Sequence, residues 1–495
     1  MCLAAGCVAA PAAREPANPE LTFPKGFLWG TAVAGFQAEA GCPTLAPAIC
    51  EDRASDWYQW VSDPELIADD STYVTGEPLA NAPGMRELYA EDFRRARDEL
   101  HTNAIRLSIE WSRLFPDGAA EAATTVDALA AHADPVAVAY YRDMFATARR
   151  LGLRLLVTLN HYTLPLWIHD GKACHADLDA CTDRGWLDGP RIERAIALYA
   201  GFCGRTFGDQ VDLWATLNEP FATVLAGYVF PSAERSHPPG VVLEIPEAVD
   251  IIFHQVEAHA RMIDALRAED HVDADADGQA VRAGTVVNIA ICEPEDPDDP
   301  ASVEAARHMS WLHNELFLEG VARGRLDLNI DGVAETVRPD LEGRLDWIGI
   351  NYYTKIGVTP LGAPISADYP WLDFIPDLQG GFFTSYPHGL YEAVQLASRF
   401  DLPMIITENG TQASADPAAT DGETFLKPHL RELWRAIDEG LPVEGYFYWT
   451  LVDNYEWNHG MNIKMGLYAL DPATKARAMK PLGATFAAIA EDRGF

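Results

Sequence analysis

The sequence predicts an α/β protein built as a single (β/α)8 barrel of the TIM type, with long loops at the C-terminal face. Three observations lead there. The chain has 495 residues, too many for a minimal domain and enough for one large barrel carrying insertions. It holds eight short apolar runs rich in β-branched and aromatic residues, and amphipathic segments of helical period alternate with them. No glycine-rich phosphate loop follows the first run, as an open doubly wound sheet would usually need.

In chain order the predicted strands are 27–31, 104–109, 153–159, 213–217, 284–291, 347–350, 404–407 and 445–449. The predicted helices are 86–100, 136–151, 191–207, 248–267, 302–321, 388–399, 425–439 and 473–490. Segments 41–84, 117–135 and 170–189 break the alternation and read as insertions, not domain boundaries. Residues 1–21 form an N-terminal tail of small apolar residues turning Pro-rich, and 22–495 form one domain.

Composition narrows the function. The chain is 48% hydrophobic and 22% charged, values of an ordinary globular protein. No eighteen-residue apolar run could cross a bilayer. The formal charge is 37 − 74 = −37, which argues against a nucleic-acid or anionic-lipid partner, since both need a basic face. Lysine supplies only seven of the 37 cations, a pattern that suits either a high-salt medium or a GC-rich genome. Within the tail, Leu3-Ala4-Ala5-Gly6-Cys7 resembles a lipobox, although the basic start of a secretion signal is missing. Two cysteine pairs, Cys42/Cys50 and Cys174/Cys181, sit in insertions, where disulfides would pin loops of an exported enzyme; three connectivities are open. Cys203 and Cys292 read as buried thiols. Export is favoured slightly over the cytoplasm. Asp273, Asp275, Asp277 and Gly278 match the start of a calcium loop, but the twelfth position is Gly284 where a bidentate Glu belongs, so a solvated acidic loop is expected.

The chemistry is written at the strand ends, where a barrel of this kind forms its site. Strand one leads to Gln37. Strand two carries Arg106 and runs on to Glu110-Trp111, and strand three ends in Asn160-His161. Strand four ends in Asn218-Glu219-Pro220, strand six in Asn351-Tyr352-Tyr353, and strand seven in Thr407-Glu408-Asn409. Strand eight ends at Trp449, followed by Asn454-Tyr455-Glu456-Trp457. Glu219 and Glu408 each close an apolar strand, and strands four and seven lie on opposite sides of an eight-strand ring. Acetal hydrolysis needs such a pair: one carboxyl protonates the leaving oxygen and the other meets the oxocarbenium, with direct attack and retention at about 5–5.5 Å separation.

The stretches FPKGFLWGTAVAGFQAEAG, NAIRLSIEWSRLFP, TLNHYTLPLW, WATLNEPF, IGINYYT, IITENG and WTLVDNYEWNHGMNIKMGLYALD, in this order, resemble glycoside hydrolase family 1, the retaining β-glycosidases. The resemblance spans roughly residues 22–490. It implies Glu219 as acid/base with Asn218 beside it on the sugar 2-hydroxyl, and Glu408 as nucleophile. It further implies that Arg106 and Tyr353 hold Glu408 ionised, and that Tyr353 does so in preference to Tyr352. Gln37, His161, Glu456 and Trp457 would clamp the sugar edge, and Trp449 would lie under its apolar face. Phe221 and Phe383 occupy aglycone-side positions where relatives usually carry Trp. His161-Tyr162-Thr163-Leu164-Pro165 departs from the common His-Trp-Asp pattern towards the archaeal type.

Glu456 stands where the 6-phospho branch has Ser, so a neutral glycone is expected. Glu219 is not the Gln of the thioglucosidase branch, so O-glycosides can be protonated. The expected activity is exo-hydrolysis of terminal β-D-glucosyl residues, with β-galactosyl or β-fucosyl specificity, or transglycosylation, as the alternative. A non-catalytic glycan- or protein-binding barrel is a remote alternative, because both carboxylates are present. Neither metal nor cofactor is expected, since carboxylates carry both steps.

Overall fold

The structure, a computed structural model, describes residues 20–211, 213–377 and 383–495. The lipobox-like segment with Cys2 and Cys7 lies outside the described residues. Eight strands close a parallel barrel: β1 (Leu28–Ala32), β2 (Ala104–Ser108), β3 (Arg154–Asn160), β4 (Leu213–Asn218), β5 (Arg282–Asn288), β6 (Trp347–Tyr352), β7 (Met404–Asn409) and β8 (Val443–Trp449). Each strand pairs with its chain neighbour, and β8 closes on β1 with Leu28 opposite Gly445 and Ala32 opposite Trp449. All residues of five of these strands are buried, which explains their near-continuous apolar character.

Helices α1 (Met85–Arg94), α2 (Pro135–Arg150), α3 (Gly189–Phe207), α4 (Ile245–Glu269), α5 (Pro300–Ser310), α6 (Pro387–Ser398), α7 (Lys427–Asp438) and α8 (Pro481–Asp492) follow the strands in turn. Their starts are legible locally. At α2, Asp134 accepts from the Val136 and Ala137 amides while Pro135 occupies the first turn.

The barrel interior is layered. Leu28, Ala104, Leu156, Leu213, Val286, Trp347, Ile405 and Phe447 form its apolar part. The Phe447 ring lies within 2.3 Å of where a Cβ on Gly30 would stand, so β1 needs glycine there. Towards the C-terminal ends the filling becomes polar: Arg106, Thr158, Asn218, Asn351, Thr407 and Glu408 are all buried. A buried polar layer must satisfy itself by hydrogen bonds, and this one does so across strands.

Three expectations need correction. Strand five ends at Asn288 rather than at 291; Ile291–Pro294 is a separate strand outside the barrel, paired with Lys355–Pro360. The last helix starts at Pro481, not 473, because 468–479 turns back as a hairpin of Tyr468–Leu470 and Arg477–Met479. Cys203 is buried on α3, whereas Cys292 is only half-buried on that outer strand.

The cysteine pairing is local. Disulfides join Cys42 to Cys50 and Cys174 to Cys181, with Cα atoms 5.9 and 4.9 Å apart. In the acidic loop, Arg154 pairs with Asp275 and, at 3.6 Å, with Asp277, while Asp273 accepts from the Asp277 and Gly278 amides. An arginine thus supplies the positive charge there.

Candidate active site

Glu408 closes β7 and points into the polar layer, 3% exposed. Arg106 of β2 donates to its Oε1, and the Tyr353 hydroxyl donates to Oε2 at 2.6 Å. Arg106 itself is locked: Nε donates to Thr158 Oγ1 at 3.2 Å, Nη1 to the Thr407 carbonyl at 3.3 Å, and Nη2 to Asn218 Oδ1 at 2.6 Å. Burial pushes the Glu408 carboxyl up to about 7; Arg106 opposes this, the charge of Glu219 adds to it, and the Tyr353 hydroxyl opposes it again. Tyr352 takes no part, since its hydroxyl donates to the Tyr386 carbonyl at 2.6 Å on the outer side.

Glu219 stands just beyond β4 in a left-handed conformation, φ 45° and ψ 64°. Pro220 follows it and opens the short helix Pro220–Val224, so the chain must turn sharply at the carboxylate. A non-glycine residue held there costs about 1–3 kcal/mol, a strain typical of functional positions. Tyr162 OH donates to Oε2, and Asn351 Nδ2 and Asn288 Nδ2 donate to Oε1 at 2.7 and 3.2 Å. Asn351 also reaches Asn218 Oδ1 at 3.2 Å and accepts from Thr407 Oγ1 at 2.7 Å. One side chain therefore ties β4, β6 and β7 together beneath the two carboxylates.

The two glutamates share a cavity with His161, Tyr162, Arg235, Tyr353, Phe383, Trp449, Glu456, Trp457 and Met465. His161 stacks on Trp449 and Trp457, at centroid distances of 5.7 and 5.9 Å, and its Nε2 meets Asn218 Nδ2 at 3.2 Å. Burial keeps its ring neutral. Trp457, also left-handed with φ 48°, is stacked from its other neighbour Phe36 at 5.9 Å. Gln37, on the short helix Gly35–Glu39, donates to Glu456 Oε2 at 2.8 Å, and its carbonyl accepts from the Tyr455 amide. Phe383 stands edge-on to Tyr353 at 6.1 Å.

Phe221 stands outside this cavity. It packs edge-on against His313, at 5.1 Å, and borders a separate apolar cavity with Val249, Leu312 and Phe374. The following helix Pro220–Val224 turns its side chain away from the carboxylates. Glu110, another strand-end glutamate, is scaffold: it accepts from the Phe36 amide at 3.0 Å and the Thr163 hydroxyl at 2.6 Å. Burial, then the nearby Glu39 and Asp52, push it up to about 8.

Sequence reasoning gave no role to Tyr162, Asn351, Asn288 or Arg235. Tyr162 and Asn351 lie inside motifs already singled out. Asn288 was hidden by setting the end of strand five three residues too late. No sequence signal pointed to Arg235, which belongs to the loop after β4.

A closed β/α barrel with paired carboxylates, an aromatic floor and a polar rim at its C-terminal mouth defines a glycoside hydrolase. The chain belongs to glycosyl hydrolase family 1, whose model matches residues 20–495. It is 34% identical to a β-galactosidase of Pyrococcus woesei, covering 92% of this chain and 94% of that protein. Identity to β-glucosidase A of Thermotoga maritima is 27%, covering 95% and 98%. The crystal structure of the β-glycosidase of Thermosphaera aggregans is similar at a TM-score of 0.81, 28% identical, covering 96% and 98% of the two chains. Carbohydrates are the substrates of such enzymes. Among the described residues no helix is long and apolar enough to cross a membrane.

Proposed function

We propose that the protein is a retaining exo-β-glycosidase that removes terminal β-D-glucosyl residues from O-glycosides, with residues 22–495 as one catalytic domain. Glu408 is the nucleophile and Glu219 the general acid and then base. The observation that carries this reading is the unequal treatment of the two carboxylates. Arg106 pairs directly with Glu408, while Glu219 receives its hydrogen bonds from the neutral groups of Tyr162, Asn351 and Asn288.

Arg106 and the Tyr353 hydroxyl both favour the charged form of Glu408 against its burial, as a nucleophile needs. The first step needs an acid at Glu219 and an ionised nucleophile at Glu408. Glu408 attacks the anomeric carbon and Glu219 gives its proton to the leaving oxygen; Glu219 then deprotonates the water that breaks the ester. Glu219 and Glu408 line one pocket with His161, Trp449, Glu456 and Trp457, which supports attack on a single terminal sugar. Trp449 offers its face to the C–H side of the ring, and Gln37, His161, Glu456 and Trp457 offer polar atoms to its hydroxyls. A β-galactosyl glycone is the second reading, favoured by the name of the Pyrococcus woesei relative. The two disulfides support an oxidising compartment.

Proton NMR of aryl β-glucoside hydrolysis tests the reading. The β-anomer of glucose is expected first, with the α-anomer growing only by mutarotation; α-anomer as the first product would overturn retention.

The hydroxyl of Tyr353 stabilises the charged form of Glu408, so losing it raises the Glu408 pKa further. Tyr353→Phe is expected to move the acidic limb of the kcat/KM profile to higher pH by about one unit, the worth of a hydrogen bond to a charged group. An unmoved acidic limb would remove Tyr353 from this role.

A further inference from the structure

The loop after β4 brings a cation into the glycone cavity. Its segment around 233–236 is fastened to the loop after β8: the Ser236 amide donates to Asn458 Oδ1 at 3.4 Å, Asn458 Nδ2 donates to the Ala233 carbonyl at 3.4 Å, and His459 Nε2 meets the Glu234 carbonyl at 2.8 Å. From this bridge Arg235 reaches inward and lines the cavity, and its Nη2 donates to Glu456 Oε1 at 3.1 Å. Gln37 holds the other oxygen of Glu456.

A buried ion pair is a weak source of stability, because an apolar pair of similar volume avoids the desolvation. Its chemistry offers a better reason for it. A guanidinium beside a carboxylate presents a donor next to an acceptor. A sugar hydroxyl is at once an acceptor and a donor, and so complements the pair. The position along the sugar follows from the hydrogen-bond partners. Arg235 and Gln37 hold Glu456, whereas Tyr162, Asn351 and Asn288 hold Glu219, and Arg106 and Tyr353 hold Glu408. Arg235 thus belongs to the Glu456 end of the cavity, while Glu219 and Glu408 flank the anomeric carbon.

We propose that Arg235 is a specificity-determining residue which, with Glu456, reads a hydroxyl at C4 or C6 of the glycone and favours hydroxylated over deoxy sugars. This rests on the glycosidase reading above. The pair is charge-neutral, so the recognised glycone is neutral as well. Sequence reasoning reached the neutral glycone from Glu456 alone; Arg235 adds the donor that makes the end a hydroxyl receptor.

The test is a substrate–enzyme cycle with aryl β-D-glucoside and its 2-, 4- and 6-deoxy analogues, on wild type, Arg235→Met and Arg235→Lys. A site built to bind a hydroxyl rejects the analogue lacking it, here by about hundredfold or more in kcat/KM for the 4- or 6-deoxy sugar. In Arg235→Met that penalty is expected to shrink by about tenfold, the 2-deoxy penalty to stay as in wild type, and Arg235→Lys to restore part of the difference. Equal loss on every substrate, or 4- and 6-deoxy penalties that both persist, overturns the proposal. So does faster cleavage of the β-glucuronide than of the glucoside, which would make Arg235 a carboxylate receptor. A wild-type enzyme inactive on all β-glycosides overturns the glycosidase reading itself.

Discussion

Glu408→Ala is expected to lower kcat on an aryl β-glucoside by about 10⁴–10⁶-fold, the scale seen when a covalent nucleophile is removed. At about 1.36 kcal/mol per tenfold, this is the largest single effect available in the site. The substitution also leaves Arg106 buried without its carboxylate, so part of any loss could come from misfolding. Two controls separate the causes. Glu408→Gln keeps the volume and an oxygen for Arg106, and should be as inactive while unfolding as a normal barrel. In the alanine variant a small anion such as azide fits where the carboxylate was, and should restore turnover with inversion, giving the α-glycosyl azide. Full activity in either variant would sink the assignment of the nucleophile.

Glu219→Ala is expected to split substrates by leaving group. An acid contributes about 10²–10⁴-fold where the departing oxygen needs a proton. A disaccharide should therefore lose that factor or more, whereas formation of the glycosyl-enzyme from a dinitrophenyl glucoside should change little. Breakdown of that intermediate should slow, because water loses its base, and added azide should accelerate it with overall retention. Measured as kcat/KM against leaving-group pKa, the variant should show a steep slope where wild type is shallow. A uniform loss across the series would assign Glu219 a structural role. The left-handed backbone at this residue sharpens the stability side: a variant that keeps the strained turn gains nothing, so changes in unfolding should be small beside the kinetic ones.

The strands were legible because parallel barrel strands are buried on both faces and write themselves as short apolar runs. Their ends were harder to read. Strand five runs from Arg282 to Asn288, and the apolar pair Ile289-Ala290 extends the same pattern past the true end. The last helix was set too early because the Ala-rich segment from 473 has helical propensity, while tertiary pairing makes 477–479 a strand against 468–470. The motif alone names Phe221; the helix after Glu219 decides that its ring meets His313.

By itself the sequence determined the barrel, the family and the two glutamates, since each depends on local pattern: strand runs, motif order and carboxylates closing β4 and β7. Only the tertiary structure decided who touches whom. It placed Arg106 on Glu408, three neutral donors on Glu219, and Asn351 between β4, β6 and β7. It also chose the local disulfides from three connectivities and brought Arg235 to Glu456 across 221 residues of chain. Contacts of that range come from how a closed barrel aims its loops at one mouth, and no periodicity along the chain records where a loop side chain ends up.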